Sequence, residues 1–305
     1  MKQLLLFAFI LFTSFNSFAQ INPEDSTVQV IGYWDLNEKQ TYEVTREKYR
    51  VKDADTTRRE LVKYEVDITI IDSTATSYTI EWLYRHVSPA TDNSFERKLE
   101  GITNNRRVVI KTDEMGTIEE VVNWQEIRDE IKETTKVLRK EFKHIPNINL
   151  AIAKAEGMFS TKEAIEAMAI KDIQQFYTFH GAKYALGEEV KGQLPIYNNL
   201  GGEPFSADVT ILLDEINEED NNFVIWVWQT IDPEQLTEAT YAFLKENTPN
   251  TGTTIPSKSE FPAMQNETTT AARIHGSGWV LYSRETKEIT ADGTLAFEER
   301  TIEIK

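Results

Sequence analysis

Alternation between apolar and polar residues recurs along this chain and constrains its fold more than any other feature. Val66–Ile70 alternates at every position, and Ala207–Leu212 repeats the pattern. Successive side chains of a strand point to opposite faces of a sheet, so this period predicts strands with one buried face. Antiparallel sheets are the kind that can present their other face to water. We therefore expect a large antiparallel sheet.

Other segments predict more strands around these two. Tyr78–His86 follows the turn after the first alternating segment, and Trp279–Tyr282 and Leu295–Ile304 close the chain. The segment Phe223–Gln229 is apolar at almost every position. Such a run is typical of a strand in the middle of a sheet that is covered on both faces.

The middle of the chain has helical periodicity. Trp124–Phe142 places apolar residues on one stripe, and a second helix is predicted over Asn149–Glu156. The sequence Ser160–Glu163 has the form of a capping box and predicts one helix running on to Phe176. Asp232 before Pro233 predicts a further helical start.

These elements predict an α+β protein with helices packed on one side of the sheet. The sequence divides into an N-terminal part over 20–180, with a β-sheet and the helical segment, and a β-rich C-terminal half over 181–305; one continuous domain over 31–305 is the alternative. Val66–Ile71 resembles Ala207–Leu212, and Trp82 then matches Trp226, with a second loop three residues longer. An internal duplication that gives two related half-barrel-like sheets is one explanation. The alternative is that two amphipathic hairpins resemble each other without common origin.

The first nineteen residues have the pattern of a secretory signal peptide. Lys2 precedes the apolar run Leu4–Phe12, and the small residues Ser17 and Ala19 suit a signal peptidase. We expect cleavage after Ala19, so that Gln20 becomes the N-terminus. The chain has no cysteine, which excludes a lipid-modified cysteine there. The prediction is an exported protein of the periplasm or the extracellular space, with no transmembrane segment after cleavage.

Composition narrows the partners and the chemistry. The 305 residues carry a net charge of −17, which disfavours nucleic acid as a partner. Without cysteine there are no disulfides, no thiol nucleophile and no thiolate metal site. No catalytic or cofactor motif is present, so we expect no cofactor and no metal and predict a non-enzymatic role. The acidic segment Asp214–Asn222 could bind calcium, or it is a solvated hairpin tip.

Aromatic residues at neighbouring strand positions are the candidate binding residues. Ligand pockets are mostly apolar with aromatic walls, so these side chains could line a cavity on one concave face. The alternative is that they belong to the core, where large aromatic side chains also concentrate. The candidates are Tyr78, Trp82, Tyr84, Phe223, Trp226 and Trp228.

Two resemblances follow from these residues. The signal-peptide pattern in 1–19, the hairpin Lys111–Ile118 and the start of the helix at Trp124 resemble uncharacterised exported proteins of the Bacteroidota. The order of strands and helices resembles the lipoprotein-carrier half-barrels of the LolA and LolB type. This second resemblance implies a curved antiparallel sheet with helices on one side, and it transfers no functional residue.

The sequence thus favours a binding or carrier module for an apolar, lipid-like ligand. A second hypothesis is an envelope protein that binds another envelope protein or has a structural role, without a ligand cavity. A third is a hydrolase whose catalytic residues the sequence does not reveal.

Overall fold

The computed structural model describes residues 20–52, 55–89, 104–145, 148–247 and 255–305. The predicted signal peptide therefore lies outside the described residues. Three short strands form a small sheet, namely β1 (Ile21–Asn22), β2 (Thr27–Gln29) and β8 (Lys183–Ala185). The large sheet contains β3 (Lys39–Lys52), β4 (Asp55–Ser73), β5 (Ser77–Pro89), β6 (Arg107–Asp113), β7 (Ile118–Val121), β9 (Glu189–Ile196), β10 (Phe205–Asn217), β11 (Asn222–Ile231), β12 (Gln265–His275), β13 (Val280–Ala291) and β14 (Thr294–Ile304).

The large sheet is one continuous antiparallel sheet of eleven strands. Its order is β7-β6-β5-β4-β3-β14-β13-β12-β11-β10-β9, with β7 and β9 as separate edges. The central pair joins the two ends of the chain, because β3 and β14 are in register from Tyr42 opposite Ile304 to Lys52 opposite Thr294. This confirms the predicted α+β class, and strands from both halves of the chain share one sheet.

One face of this sheet carries the core, and we call it the inner face. Val44 of β3 faces Tyr64 of β4 on one side and Ile302 of β14 on the other, and all three are buried. The same row continues through Ser283 and Ala272. Side chains one position along each strand point to the other face, which we call the outer face.

Five helices are described, and the helices that contact the large sheet do so on its inner side. Helix α4 lies against the centre of that face, where Phe176 contacts the rings of Tyr42 and Trp82 edge-on, at centroid distances of 5.4 and 5.3 Å. The helices are α1 (Trp124–Glu141), α2 (Ile148–Met158), α3 (Lys162–Met168), α4 (Lys171–Tyr177) and α5 (Pro233–Asn247).

The capping box prediction is wrong in two respects. Thr161, and not Ser160, is the N-cap, since its side chain accepts a hydrogen bond from the Ala164 N–H at 3.2 Å. The single predicted helix is two helices, because Ile170 leaves the helical conformation with φ −120° and ψ 36°. Ile170 is buried at this break, which the apolar period does not show.

The start of α5 is as predicted. Asp232 caps it, its carboxylate accepting from the Glu234 and Gln235 N–H groups at 2.9 and 3.0 Å. The acidic segment is a hairpin tip between β10 and β11, where Asn221 adopts a left-handed φ of 48°.

The proposed match of Trp82 with Trp226 does not hold in the fold. The second loop is longer by three residues, and an odd number exchanges the two faces of a strand. Trp82 is fully buried on the inner face, while Trp226 points to the outer face and is half-buried. The prediction that Phe223–Gln229 is covered on both faces is also wrong, since Trp228 of this segment is 38% exposed.

Candidate functional site

The six aromatic candidates are divided between the two faces of the sheet. Four lie on the inner face: Trp82, Tyr84 and Phe223 are buried, and Tyr78 is half-buried with its hydroxyl donating to the Gly32 carbonyl at 3.0 Å. The other two, which are Trp226 and Trp228, lie on the outer face. The six therefore do not share one concave face.

The two tryptophan rings on the outer face stack on each other. The rings of Trp226 and Trp228 are nearly parallel, with an interplanar angle of 8° and centroids 5.8 Å apart. Residues two apart on a strand stand side by side on one face, which explains this arrangement. Trp228 is the more exposed member of the pair.

Beneath α4 the inner face holds an aromatic cluster with a histidine at its edge. Trp34 contacts His180 and Trp279 at centroid distances of 5.8 and 5.3 Å. His180 is buried, and its Nε2 lies 2.9 Å from the Gly278 carbonyl, to which it donates as the Nε2–H tautomer. Burial lowers the His180 pKa to about 4, although the hydrogen bond to Gly278 and the charge of Asp113 act against this. The ring is therefore neutral at pH 7.

A buried charged network fastens α4 to the sheet. The Arg300 guanidinium of β14 lies 3.0 Å from the Asp172 carboxylate of α4, and Tyr64 donates to the other oxygen of Asp172 at 2.8 Å. Gln175 donates to Ser283 Oγ at 3.0 Å. These contacts come from three different strands of the sheet, so a helix of seven residues is held in one position.

The pKa values of Arg300 and Tyr64 are both shifted within this network. Burial by itself lowers the Arg300 pKa, but Asp172, Glu285 and other acidic neighbours outweigh it and raise the pKa far above its ordinary value. The pKa of Tyr64 is also well above its ordinary value, first because of burial and then because of the Asp172 charge. The arginine is thus charged and the tyrosine is neutral.

Beyond this network the inner face changes from apolar to charged. One residue pair along from Val44 and Ile302, Arg46 faces Arg300, and the next pair is Lys48 with Glu298. The Lys48 ammonium and the Glu298 carboxylate are 3.0 Å apart. Charged side chains are costly to bury in an apolar core, and among the described residues the core ends here.

An open groove lies on this charged part of the inner face, and it is the candidate functional site, which we call the inner-face groove. Its volume is about 280 Å³. Ile289 and Ala296, which face each other across the β13–β14 pair, are its apolar lining, and charged side chains surround them. The lining residues are Lys48, Tyr49, Arg50, Glu60, Lys287, Ile289, Ala296, Phe297 and Glu298.

None of the six predicted aromatic residues lines the inner-face groove. The signal that could have located it is the face pattern of β3 and β14. Tyr42, Val44 and then Lys48 fall on one face of a single strand, and Ile302 gives way to Glu298 on its neighbour. An abrupt change from apolar to charged residues at constant period marks the point where the core ends.

Chemistry that needs a metal has no ready site in the described part of the chain. No three histidine, aspartate or glutamate side chains of those residues lie close enough together to hold an ion. None of the helices described there combines the length and the apolar character that crossing a bilayer requires. The described residues that line the groove are mainly charged and apolar side chains.

Comparisons with known proteins find similarity only at the level of structure. No family model and no curated protein sequence matches the chain. Among solved structures, a chain of lipovitellin from a study of lipid–protein interactions in that protein superposes with a TM-score of 0.40 and 10% sequence identity. The superposition covers 89% of this chain and 25% of the lipovitellin chain, so this chain spans about a quarter of its length.

Proposed function

We propose that this protein is a non-enzymatic binding module that holds an apolar or amphiphilic ligand in the inner-face groove. The observation that carries the proposal is the combination of an open groove of about 280 Å³ with an apolar lining at Ile289 and Ala296. Ligand sites are concave and mostly apolar, with a few polar groups, and range upward from roughly 300 Å³. The groove therefore suits a small or slender ligand.

The part of the inner face next to the groove is filled with packed side chains. Trp82 of the sheet packs against Phe176 of α4, and Arg300 holds that helix in place. A preorganised wall beside the groove loses little conformational freedom when a ligand binds.

The proposal includes export. Gln20, the residue that follows the predicted cleavage site, is buried. Its carbonyl accepts a hydrogen bond from the Gln29 N–H at 2.8 Å. A chain cut after Ala19 would keep all of these contacts. N-terminal sequencing of the secreted protein tests this, and a mature chain starting elsewhere would overturn the cleavage site.

Native mass spectrometry tests the binding proposal. The purified chain is incubated with decanoate and with decanol, and bound adducts are counted in the wild type and in Ala296→Trp, which fills the groove. The matched control is Ala271→Trp, the same substitution on the outer face, where Ala271 is opposite Trp226. We expect a one-to-one adduct in the wild type and the control and none in Ala296→Trp. Equal adducts in all three proteins, or none in any, would overturn the proposal.

A further inference from the structure

Two lysines, one that lines the inner-face groove and one on the neighbouring helix α4, have no ion-pair partner among the described residues. Lys287 lines the groove from β13, and Lys171 is the first residue of α4, next to Asp172, which pairs with Arg300 of β14. Ion pairs occupy most of the other charged side chains around them, as with Lys48 and Glu298. An ammonium group without a partner in a concave site is a natural position for a ligand anion.

The register explains why Lys287 is left without a partner. Glu298 lies directly opposite it in the β13–β14 pair. That carboxylate instead contacts Lys48 at 3.0 Å and Arg300 at 3.2 Å. Glu285, two residues before Lys287 on the same face, also contacts Arg300, at 3.1 Å. Glu298 and Glu285, the two carboxylates next to Lys287 on this face, are thus already paired with Arg300 and Lys48.

Lys171 begins the helix that packs on β13, the strand that carries Lys287, and the two positive charges repel each other. The pKa of Lys171 is lowered, first because the surrounding protein desolvates its ammonium group and then because of Lys287. Glu285 and Glu298 act in the opposite direction, and Arg300 adds to the repulsion. An anion between the two ammonium groups would relieve this repulsion.

We infer that Lys171 and Lys287 together bind the anionic group, a carboxylate or a phosphate, of the ligand that occupies the inner-face groove. The inference rests on the proposed function, because it assigns the polar end of the same ligand. The groove itself carries the cations Lys48, Arg50 and Lys287 against the anions Glu60 and Glu298. In a chain of net charge −17 this is a local excess of positive charge. The apolar end of the ligand then lies along Ile289 and Ala296.

Titration calorimetry with three probes separates the two ends of the ligand. Decanoate has both ends, decanol has only the apolar chain, and inorganic phosphate has only the anion. The variants are Lys171→Gln and Lys287→Gln, and neither substitution breaks an ion pair, so both should fold. The matched control is Lys140→Gln on α1, an exposed lysine away from the groove.

We expect decanoate to bind the wild type at least tenfold more tightly than decanol. Each lysine variant should lose about tenfold in decanoate affinity, since a hydrogen bond to a charged group is lost, while decanol binding stays unchanged. Lys140→Gln should bind like the wild type.

The other outcomes distinguish this inference from the proposed function. Equal binding of decanol and decanoate, unaffected by the lysine variants, would overturn the inference and leave the proposed function standing. Binding of phosphate alone, lost in Lys287→Gln, would support the anion site and overturn the apolar ligand. Failure of all three probes to bind the wild type would overturn both.

Discussion

Arg300 of β14 and Asp172 of α4 form a buried ion pair, with the Arg300 Nε and an Asp172 carboxylate oxygen 3.0 Å apart and both side chains at most 10% exposed. The pair connects a short helix on the inner face to a strand at the centre of the sheet. The pair also lies between the aromatic cluster and the inner-face groove. Its arginine forms ion pairs with Glu285 and Glu298, the two carboxylates next to Lys287 on this face. Arg300 therefore contributes both to the stability of the fold and to the charges around the inner-face groove.

Removing one member of this pair should destabilise the protein strongly. Arg300→Met leaves Asp172 buried without its counter-ion, and such losses amount to about 3–5 kcal/mol of unfolding free energy. The comparison is Arg284→Met, which breaks the Arg284–Glu299 pair on the outer face, where Arg284 is about half exposed. That change should remove less than about 1 kcal/mol. Urea unfolding measures both, and similar losses in the two variants would contradict the role given to Arg300.

The sheet was largely predictable from the sequence, because burial of one face imposes a period of two. The alternating segments became β4 and β10, and Asp232 marked the start of α5. The neighbours of each strand were not predictable. The pairing of β3 with β14 joins residues more than 240 positions apart, and no local pattern specifies it.

The candidate site was less predictable than the fold. Aromatic residues attracted attention because they are frequent in both cores and pockets, and Trp82 proved to be core. The groove depends on Lys287 and Ala296, which carry no distinguishing signal as single residues in the sequence. They become a site only when the register places them side by side with β3.

Because Trp82 and Trp228 lie on opposite faces of the sheet, their removal should lower the free energy of unfolding by different amounts. Trp82→Ala removes a fully buried ring and should lower the unfolding free energy by about 3–5 kcal/mol. Trp228→Ala removes a ring that is 38% exposed on the outer face and should cost less than about 1 kcal/mol. Guanidinium unfolding checks both. A larger loss for Trp228→Ala than for Trp82→Ala would mean that the assignment of faces is wrong.

His180 should make stability depend on pH in the acid range. Its pKa is about 4 in the folded protein, below the value near 6.5 of a free histidine, so the unfolded chain takes up the proton first. Stability from this residue is therefore fully present above about pH 6.5 and is lost as the pH falls towards 4. The loss is at most about 3 kcal/mol.

The variant His180→Gln isolates this contribution, because it removes the imidazole and leaves the rest of the sequence unchanged. The introduced glutamine is uncharged throughout, so the wild type should lose more stability than the variant between pH 6.5 and 4. Unfolding free energies measured at half-unit intervals give the difference. Parallel curves for the two proteins would show that the buried histidine does not contribute.

The position of the N-cap of α3 gives a further check on the local structure. Thr161→Ala removes the acceptor of the Ala164 N–H and should lower stability by about 1 kcal/mol. Ser160→Ala changes an exposed hydroxyl that only donates to the Gly157 carbonyl, so its effect should stay within about 0.5 kcal/mol. Thermal unfolding compares the two, and the reverse order would place the cap at Ser160.

Methyl NMR tests the central claim most directly, because it reports which residues a ligand touches. With labelled isoleucine and alanine methyl groups, decanoate is titrated into the purified chain. We predict that the signals of Ile289 and Ala296 shift to saturation while those of the buried Ile80 and Ile110 stay in place. Shifts at Ile80 and Ile110 without change at Ile289 and Ala296, or no shifts at all, would contradict a ligand site in the inner-face groove.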